Sequence, residues 1–218
     1  MGRKVLLRSA EAVLVPLIPA VYRATRWLLH LILGRRFVLK VEGLEFLPAQ
    51  GPMIICPKHQ RWEDIPMVGI AVPRCLHYIA KVELFRRPLQ REFLSALGGV
   101  PVDRDRPRAT LSSFKRLLPL LRDQAAIVLF PEGTYIRDGV GAGKHRLIQM
   151  LLRFQGQRGV GLLSFGPVGL RYEKSADGYQ VFLRLGPPLR AAQASQAKAL
   201  TDTLMAEIAR LSGEEGGE

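Results

Sequence analysis

Only two cysteines stand among the 218 residues, Cys56 and Cys75, and both lie in apolar runs. Nothing suggests a disulfide framework, so a reducing compartment is the expectation. Acidic residues are also scarce: 19 Asp and Glu face 32 Lys and Arg, a formal charge of +13. Such a balance points to anionic partners: nucleic acid, a lipid surface, phosphate-bearing substrates or an acidic protein. A long uninterrupted apolar run is missing too. The first 36 residues are rich in apolar side chains, but Arg8, Glu11, Arg23 and Arg26 break them up, leaving no run before Arg23 long enough to span a bilayer as a helix. Glu11, Pro16 and Pro19 spoil a signal peptide, and Leu6 stands where N-myristoylation needs Ser or Thr. The four histidines show no metal-ligand spacing, so no metal is expected.

What is present is one domain's worth of chain, with apolar residues at 48% and no internal repeat. On a helix from Val21 to Leu33, Arg23, Arg26 and His30 share a face. Leu28, Leu31 and Ile32 lie opposite, with Tyr22 and Trp27 on the flanks. The pattern suits a helix in the headgroup layer of a membrane and equally one that covers the domain's own core. After Arg36 come short β-rich runs: "FVLKVE", "MIIC", "CLHYIA", "GVPVD", "AAIVLF", "GVGLLS", "PVGLRY" and "YQVFLRL". Helical patterns alternate with them. One is "TLSSFKRLLPLLRD", with Pro119 as a kink or end; another follows Ala194, with Ala197, Leu200, Leu204, Ile208 and Leu211 on one stripe. The expectation is an α/β domain, a mixed sheet flanked by helices, over 37–211, after an amphipathic membrane-interface segment at 1–36. The tail 212–218 should fray.

The stretch "ICPKHQRWEDIP" holds a histidine and an aspartate five positions apart, His59 and Asp64. Inside one regular helix they would project about 140° apart and could not meet. Pro66 suits the first turn of a helix, so the helix should begin near Glu63 or Asp64, with His59 in the turn that follows "MIIC". From that turn the imidazole can fold back, and Asp64 can accept its N–H. This fixes the tautomer a general base requires. A structural histidine beside a capping aspartate is the alternative. Three other chemistries fade. "DGVGAGKH" has Asp138 and His145 where a phosphate-binding loop needs Gly and Ser or Thr. Ser164 lacks the glycines of a nucleophile elbow. Cys56 ends an apolar strand, where a thiol is usually inert.

The segments "KHQRWED", "AKVELFRRPL", "LGGVPVDR" and "VLFPEGT", in that order from about residue 37 to 190, resemble the glycerolipid acyltransferases, the family of 1-acyl-glycerol-3-phosphate acyltransferase. Pro167 in "SFGPVGLRY" and the later "LGPPL" extend the likeness. The resemblance implies transfer of a fatty acyl chain from a thioester to a glycerol-phosphate hydroxyl. The donor would be acyl-CoA or acyl carrier protein, with no other cofactor. It casts His59 as general base, Asp64 as its orienter and Arg104 as the phosphate-binding arginine. Lys81, Glu132, Gly133 and Thr134 become substrate-binding candidates. Two positions depart from the family's usual residues: Lys58 replaces Asn before the histidine, and Tyr135 replaces Arg after "FPEGT". Arg137 or Lys144 can supply the missing charge, and the acceptor stays open. A lipid substrate favours the membrane reading of the first 36 residues, at the cytoplasmic face of the cell membrane, peripheral or monotopic. The competing class is a basic membrane- or nucleic-acid-binding protein without catalysis. It explains the charge but not the ordered motifs, and no nucleic-acid module is recognisable.

Overall fold

The computed structural model describes residues 16–103 and 107–214. Within them seven strands form one mixed sheet: β1 (Phe37–Glu42), β2 (Met53–Pro57), β3 (Leu76–Lys81), β4 (Gly99–Val102), β5 (Ala126–Val128), β6 (Ser164–Ser175) and β7 (Gly178–Leu185). Their spatial order is β1-β7-β6-β2-β5-β3-β4. All neighbours run parallel except the β6–β7 hairpin. Parallel neighbours need crossovers, and the crossovers place helices on both faces. Successive strand residues point to opposite faces, so each strand feeds two cores. Ile54, Cys56, Ile127 and Leu129 pack against α4 (Pro107–Phe114), α5 (Leu117–Arg122), α6 (His145–Leu152) and α7 (Ala197–Ser212). Met53, Ile55, Val128 and Val168 pack on the other side, against α1 (Pro19–Leu33) and α2 (Asp64–Ala71). The remaining helix, α3 (Pro88–Ala96), links β3 to β4.

Seven of the eight β-rich runs form these strands. "GVGLLS" does not: residues 160–163 are an unpaired lead-in to β6. Their amides are spent elsewhere, Val160 N–H on Gln157 O and Leu163 N–H on Gln155 Oε1. Val160 and Leu163 are buried, and that burial gave the run its strand-like pattern. "TLSSFKRLLPLLRD" is two helices broken at Lys115 and Arg116, not one kinked at Pro119. Pro119 takes the third position of α5, inside the first turn, where a missing N–H costs little. The α7 stripe is buried as its spacing requires. Of the tail expected to fray, Ser212 to Glu214 are tied down. Ser212 Oγ accepts Leu170 N–H, Gly213 closes α7 at φ 72°, and Glu214 pairs with the buried Lys58.

Helix α1 covers the domain's core with one face and leaves apolar side chains exposed on another. Tyr22 and Leu33 are buried against the domain, and Arg26 turns inward to bond Ile70 O at 2.8 Å. Arg26 therefore leaves the solvent face it was expected to share with Arg23 and His30. Trp27, Leu28, Leu31 and Ile32 remain exposed. Among the described residues no helix is long and apolar enough to cross a membrane. The first part of the expected interface segment, 1–15, lies outside the described residues.

Candidate active site

Strands β2, β3, β4 and β5 run parallel, so the loops after their last residues emerge at one edge of the sheet. Ligands of open α/β sheets bind at this carboxyl edge. His59 follows β2, Lys81 ends β3, Asp103 follows β4, and Phe130 to Thr134 follow β5. Chain topology thus gathers the four motifs that are scattered through the sequence. Arg104 comes one residue after Asp103 and lies outside the described residues.

Helix α2 begins at Asp64, with Glu63 as its N-cap and Pro66 in its first turn. His59 sits in the turn before it. Its Nδ1 donates to Asp64 Oδ2 at 3.1 Å. The same oxygen accepts the main-chain N–H of Gln60 at 2.6 Å and of Arg61 at 2.8 Å. Asp64 is fully buried, and its Oδ1 accepts the Tyr172 hydroxyl at 2.8 Å. The carboxylate therefore closes the turn and fixes the imidazole's tautomer at once. With Nδ1–H donated, the lone pair is on Nε2.

The imidazole is held from both sides. It stacks on Phe130 with centroids 3.8 Å apart, and Tyr135 tilts over its other face at 4.2 Å. Gly133, at φ 73°, lets the "FPEGT" turn reverse, and Ile136 N–H then bonds His59 O at 2.8 Å. Below it lies Glu132, 2% exposed, whose Oε2 accepts His59 N–H at 2.7 Å and whose Oε1 accepts Gly141 N–H at 2.8 Å. Burial pushes the Glu132 carboxyl up from the usual carboxylate range, against the lowering effect of these two amides. Both oxygens face main-chain donors, so Glu132 is geometrically a clamp between two loops. A carboxylate in contact with substrate was the expectation.

The main-chain N–H groups of His59, Gln60 and Arg61 are all taken, by Glu132 and Asp64. These three amides are committed to holding the turn and are not free to stabilise an oxyanion. Thr134 and Arg137 are exposed on the strap that runs from "FPEGT" to Lys144, and Lys81 is exposed two strands away from β2. Lys144 is placed at the strap's end, its N–H on Pro131 O and its side-chain carbons alongside Gly133. Lys58 does not reach the surface: it is 1% exposed and paired with Glu214. Cys56 is fully buried, and desolvation pushes its thiol well up, which fits no nucleophilic use.

Two hollows border the turn between His59 and Asp64, neither lined by the pair itself. A cleft of about 590 Å³ is lined by Gln60, Arg61, Trp62, Glu63, Tyr135, Arg137 and Asp138. An apolar groove of about 260 Å³ runs between α1, α2 and the β3–α3 region, with Tyr22, Leu29, Ile65, Ile70, Leu84 and Leu97 among its walls. Trp62 lines both.

The Tyr172 contact was missed at the sequence level. Tyr172 lies in β6, which the sheet places beside β2, and no local pattern in "PVGLRY" announces that pairing. Burial, then the nearby Asp64 charge, push its phenol up, so it stays a donor. The Arg61 guanidinium lies over its ring at 4.2 Å. Tyr172→Phe removes one donor from the carboxylate that orients His59. Turnover is expected to fall about three- to tenfold, a fraction of the roughly 1.5–3 kcal/mol that one hydrogen bond to a charged group is worth, because the bond reaches His59 only through Asp64. An unchanged kcat in the folded variant would show that this bond does not support the site.

A model of the acyltransferase family matches residues 38–161. The 1-acyl-sn-glycerol-3-phosphate acyltransferase of Bacillus subtilis is 35% identical over 113 residues, which is 51% of this chain and 56% of that protein. A chloroplastic 1-acyl-sn-glycerol-3-phosphate acyltransferase of Arabidopsis thaliana is 33% identical, over 47% of this chain and 29% of its own length. A lyso-ornithine lipid O-acyltransferase of Pseudomonas aeruginosa is 32% identical, over 53% of this chain and 43% of that protein. The chain thus matches about half the length of these relatives or less. The crystal structure of the 1-acyl-sn-glycerophosphate acyltransferase of Thermotoga maritima shares the fold at a TM-score of 0.63. It is 20% identical, and the match covers 91% of this chain and 80% of that one. Because the family model takes in more than half of the chain, with the His59–Asp64 turn and the "FPEGT" strap inside it, this chain belongs to the acyltransferase family.

Proposed function

We propose that the protein transfers a fatty acyl chain from a thioester, on coenzyme A or acyl carrier protein, to the free hydroxyl of 1-acyl-glycerol-3-phosphate, giving phosphatidic acid. The observation that carries this reading is the junction at Trp62. A polar cleft and an apolar groove both border Trp62, which lies in the turn between the His59 imidazole and the buried carboxylate that sets its tautomer. A lysophospholipid and an acyl thioester each have a polar end and an apolar chain, and the junction offers room for both kinds of surface.

In the reaction His59 Nε2 takes the proton of the acceptor hydroxyl as its oxygen attacks the thioester carbonyl. The tetrahedral oxyanion collapses, the C–S bond breaks, and the imidazolium returns its proton to the departing thiolate. Asp64 stabilises the imidazolium between these steps. A thioester is already activated, so no acyl-enzyme intermediate is needed. Glu132 acts through the main chain of His59. Arg104 binds the acceptor phosphate, with Arg137 on the cleft wall compensating for Tyr135, while Lys81, Gly133 and Thr134 contribute to the substrate sites. The apolar groove takes an acyl chain. The protein works at the cytoplasmic face of the cell membrane, with α1 lying against it, acyl carrier protein as a candidate partner and no role for nucleic acid.

The relatives divide by name between two acceptors, 1-acyl-glycerol-3-phosphate and lyso-ornithine lipid. Arginines at 61, 104 and 137 favour the phosphate. Arg104→Ala is expected to raise the acceptor KM about ten- to a hundredfold with the donor KM nearly unchanged, and Arg137→Ala to act in the same direction less strongly. A panel of both acceptors with the purified protein checks this. A preference for the lyso-ornithine lipid, or an Arg104→Ala effect confined to donor kinetics, contradicts the assignment.

A further inference from the structure

The segment from Val82 to Ala96 is a 3₁₀ turn followed by α3, and it carries large apolar side chains that the domain leaves uncovered. Leu89 is 83% exposed and Phe93 53%. They are four residues apart on one helix and so share a face. Arg86, Arg87 and Arg91 are exposed around them. Leu84, Phe85 and Leu94 of the same segment line the apolar groove, and so does Leu97 just after it. The arm thus walls the groove with part of its surface and, with another part, exposes apolar side chains among three arginines and the acidic Glu83 and Glu92.

The arm is joined to α1. Ile18 N–H, at the start of α1, bonds Ala96 O at 3.0 Å, and the Leu17 side chain reaches Gly98. Helix α1 forms another wall of the groove through Tyr22 and Leu29, and it exposes Trp27, Leu28, Leu31 and Ile32. It contains no acidic residue. The groove therefore opens between two elements, each with uncovered apolar side chains and basic neighbours. At its rim Trp62, Ile65 and Leu84 are themselves exposed.

We propose that the Val82–Ala96 arm is a second membrane-docking element, which inserts Leu89 and Phe93 among the headgroups of an anionic bilayer while Arg87 and Arg91 pair with lipid phosphates. Together with α1 it sets the mouth of the groove on the bilayer, so that an acyl chain passes between lipid and groove without crossing water. Two observations choose a lipid surface over a protein partner. The exposed apolar side chains lie among Arg86, Arg87 and Arg91, which outnumber the exposed Glu83 and Glu92 of the segment. The surface is also continuous with an apolar groove of a size for a hydrocarbon chain. The task given to the groove rests on the acyl-transfer reading; the docking does not, and the experiment separates them.

The full chain is cosedimented with phosphatidylcholine vesicles with and without phosphatidylglycerol. Leu89→Glu/Phe93→Glu is expected to weaken partition at least about tenfold on both compositions, since apolar burial is lost and charge is added. Arg87→Glu/Arg91→Glu should weaken it on the anionic vesicles only. Because these side chains are exposed, both variants should keep the wild-type Tm and, with short-chain monomeric substrates, the wild-type rate of thiol release. Wild-type partition by Leu89→Glu/Phe93→Glu overturns the proposal. So does a wild-type protein that is dimeric by sedimentation and becomes monomeric in that variant, because the face would then be a contact between copies. Reduced partition by the variants, in a protein that releases no thiol in any form, leaves the docking standing and removes the acyl-transfer reading instead.

Discussion

His59→Ala is expected to lower kcat by about 10²- to 10⁴-fold, the range that one positioned general base supplies. The variant should stay folded, because residue 59 is held mainly through its backbone. Its N–H is on Glu132, its carbonyl accepts Ile136 N–H, and neither bond involves the imidazole. The ring's loss leaves a gap between Phe130 and Tyr135, but Tyr135 is 50% exposed and can settle into it. Circular dichroism with a Tm close to wild type, beside a collapsed rate of thiol release, is the expected pair of results. A folded variant with a wild-type rate would remove His59 from the chemistry.

Asp64→Asn is the second large effect, a fall in kcat of about 10²-fold or more. Asn can keep one oxygen on His59 Nδ1–H and on the amides of Gln60 and Arg61, and it can turn its NH₂ toward the Tyr172 hydroxyl, which then accepts. The turn survives in that arrangement. What disappears is the negative charge that steadies the imidazolium. The effect should therefore appear in kcat far more than in either KM. Asp64→Ala goes further, because it also strands two partly buried main-chain amides, and it should cost stability as well. A loss of Tm without loss of kcat in Asp64→Asn would identify Asp64 as a capping residue and nothing more.

The spacing of His59, Asp64 and Pro66 was enough to place the start of α2 and to bring the imidazole back onto the carboxylate, because a proline tolerates few helix positions. Strand positions were legible for a similar reason: strands buried on both faces read as apolar runs. "GVGLLS" shows the limit, since burial beneath the sheet leaves the same imprint whether or not the amides pair. The carboxyl edge that collects the motifs follows from strand order, which is set by packing between segments distant in sequence. Glu132 illustrates the loss. Its motif marked it as functional, but only the fold shows that both of its oxygens are turned to main-chain N–H groups. Tyr172, 108 positions from Asp64, and Glu214, 156 positions from Lys58, left no local signal. Arg26 was misplaced on its helix because its bond to Ile70 O depends on α2, packed beside it.

The most direct test is to incubate the purified protein with palmitoyl-CoA and 1-acyl-glycerol-3-phosphate and to read the lipids by mass spectrometry while the free thiol is titrated. The account predicts phosphatidic acid and coenzyme A in equal amounts from the wild type, and neither above background from His59→Ala. If no diacyl product forms with this donor or with palmitoyl-acyl carrier protein, while binding to anionic vesicles is the same in wild type and His59→Ala, the account is contradicted. The chain would then be a basic surface-binding member of its family, without the chemistry.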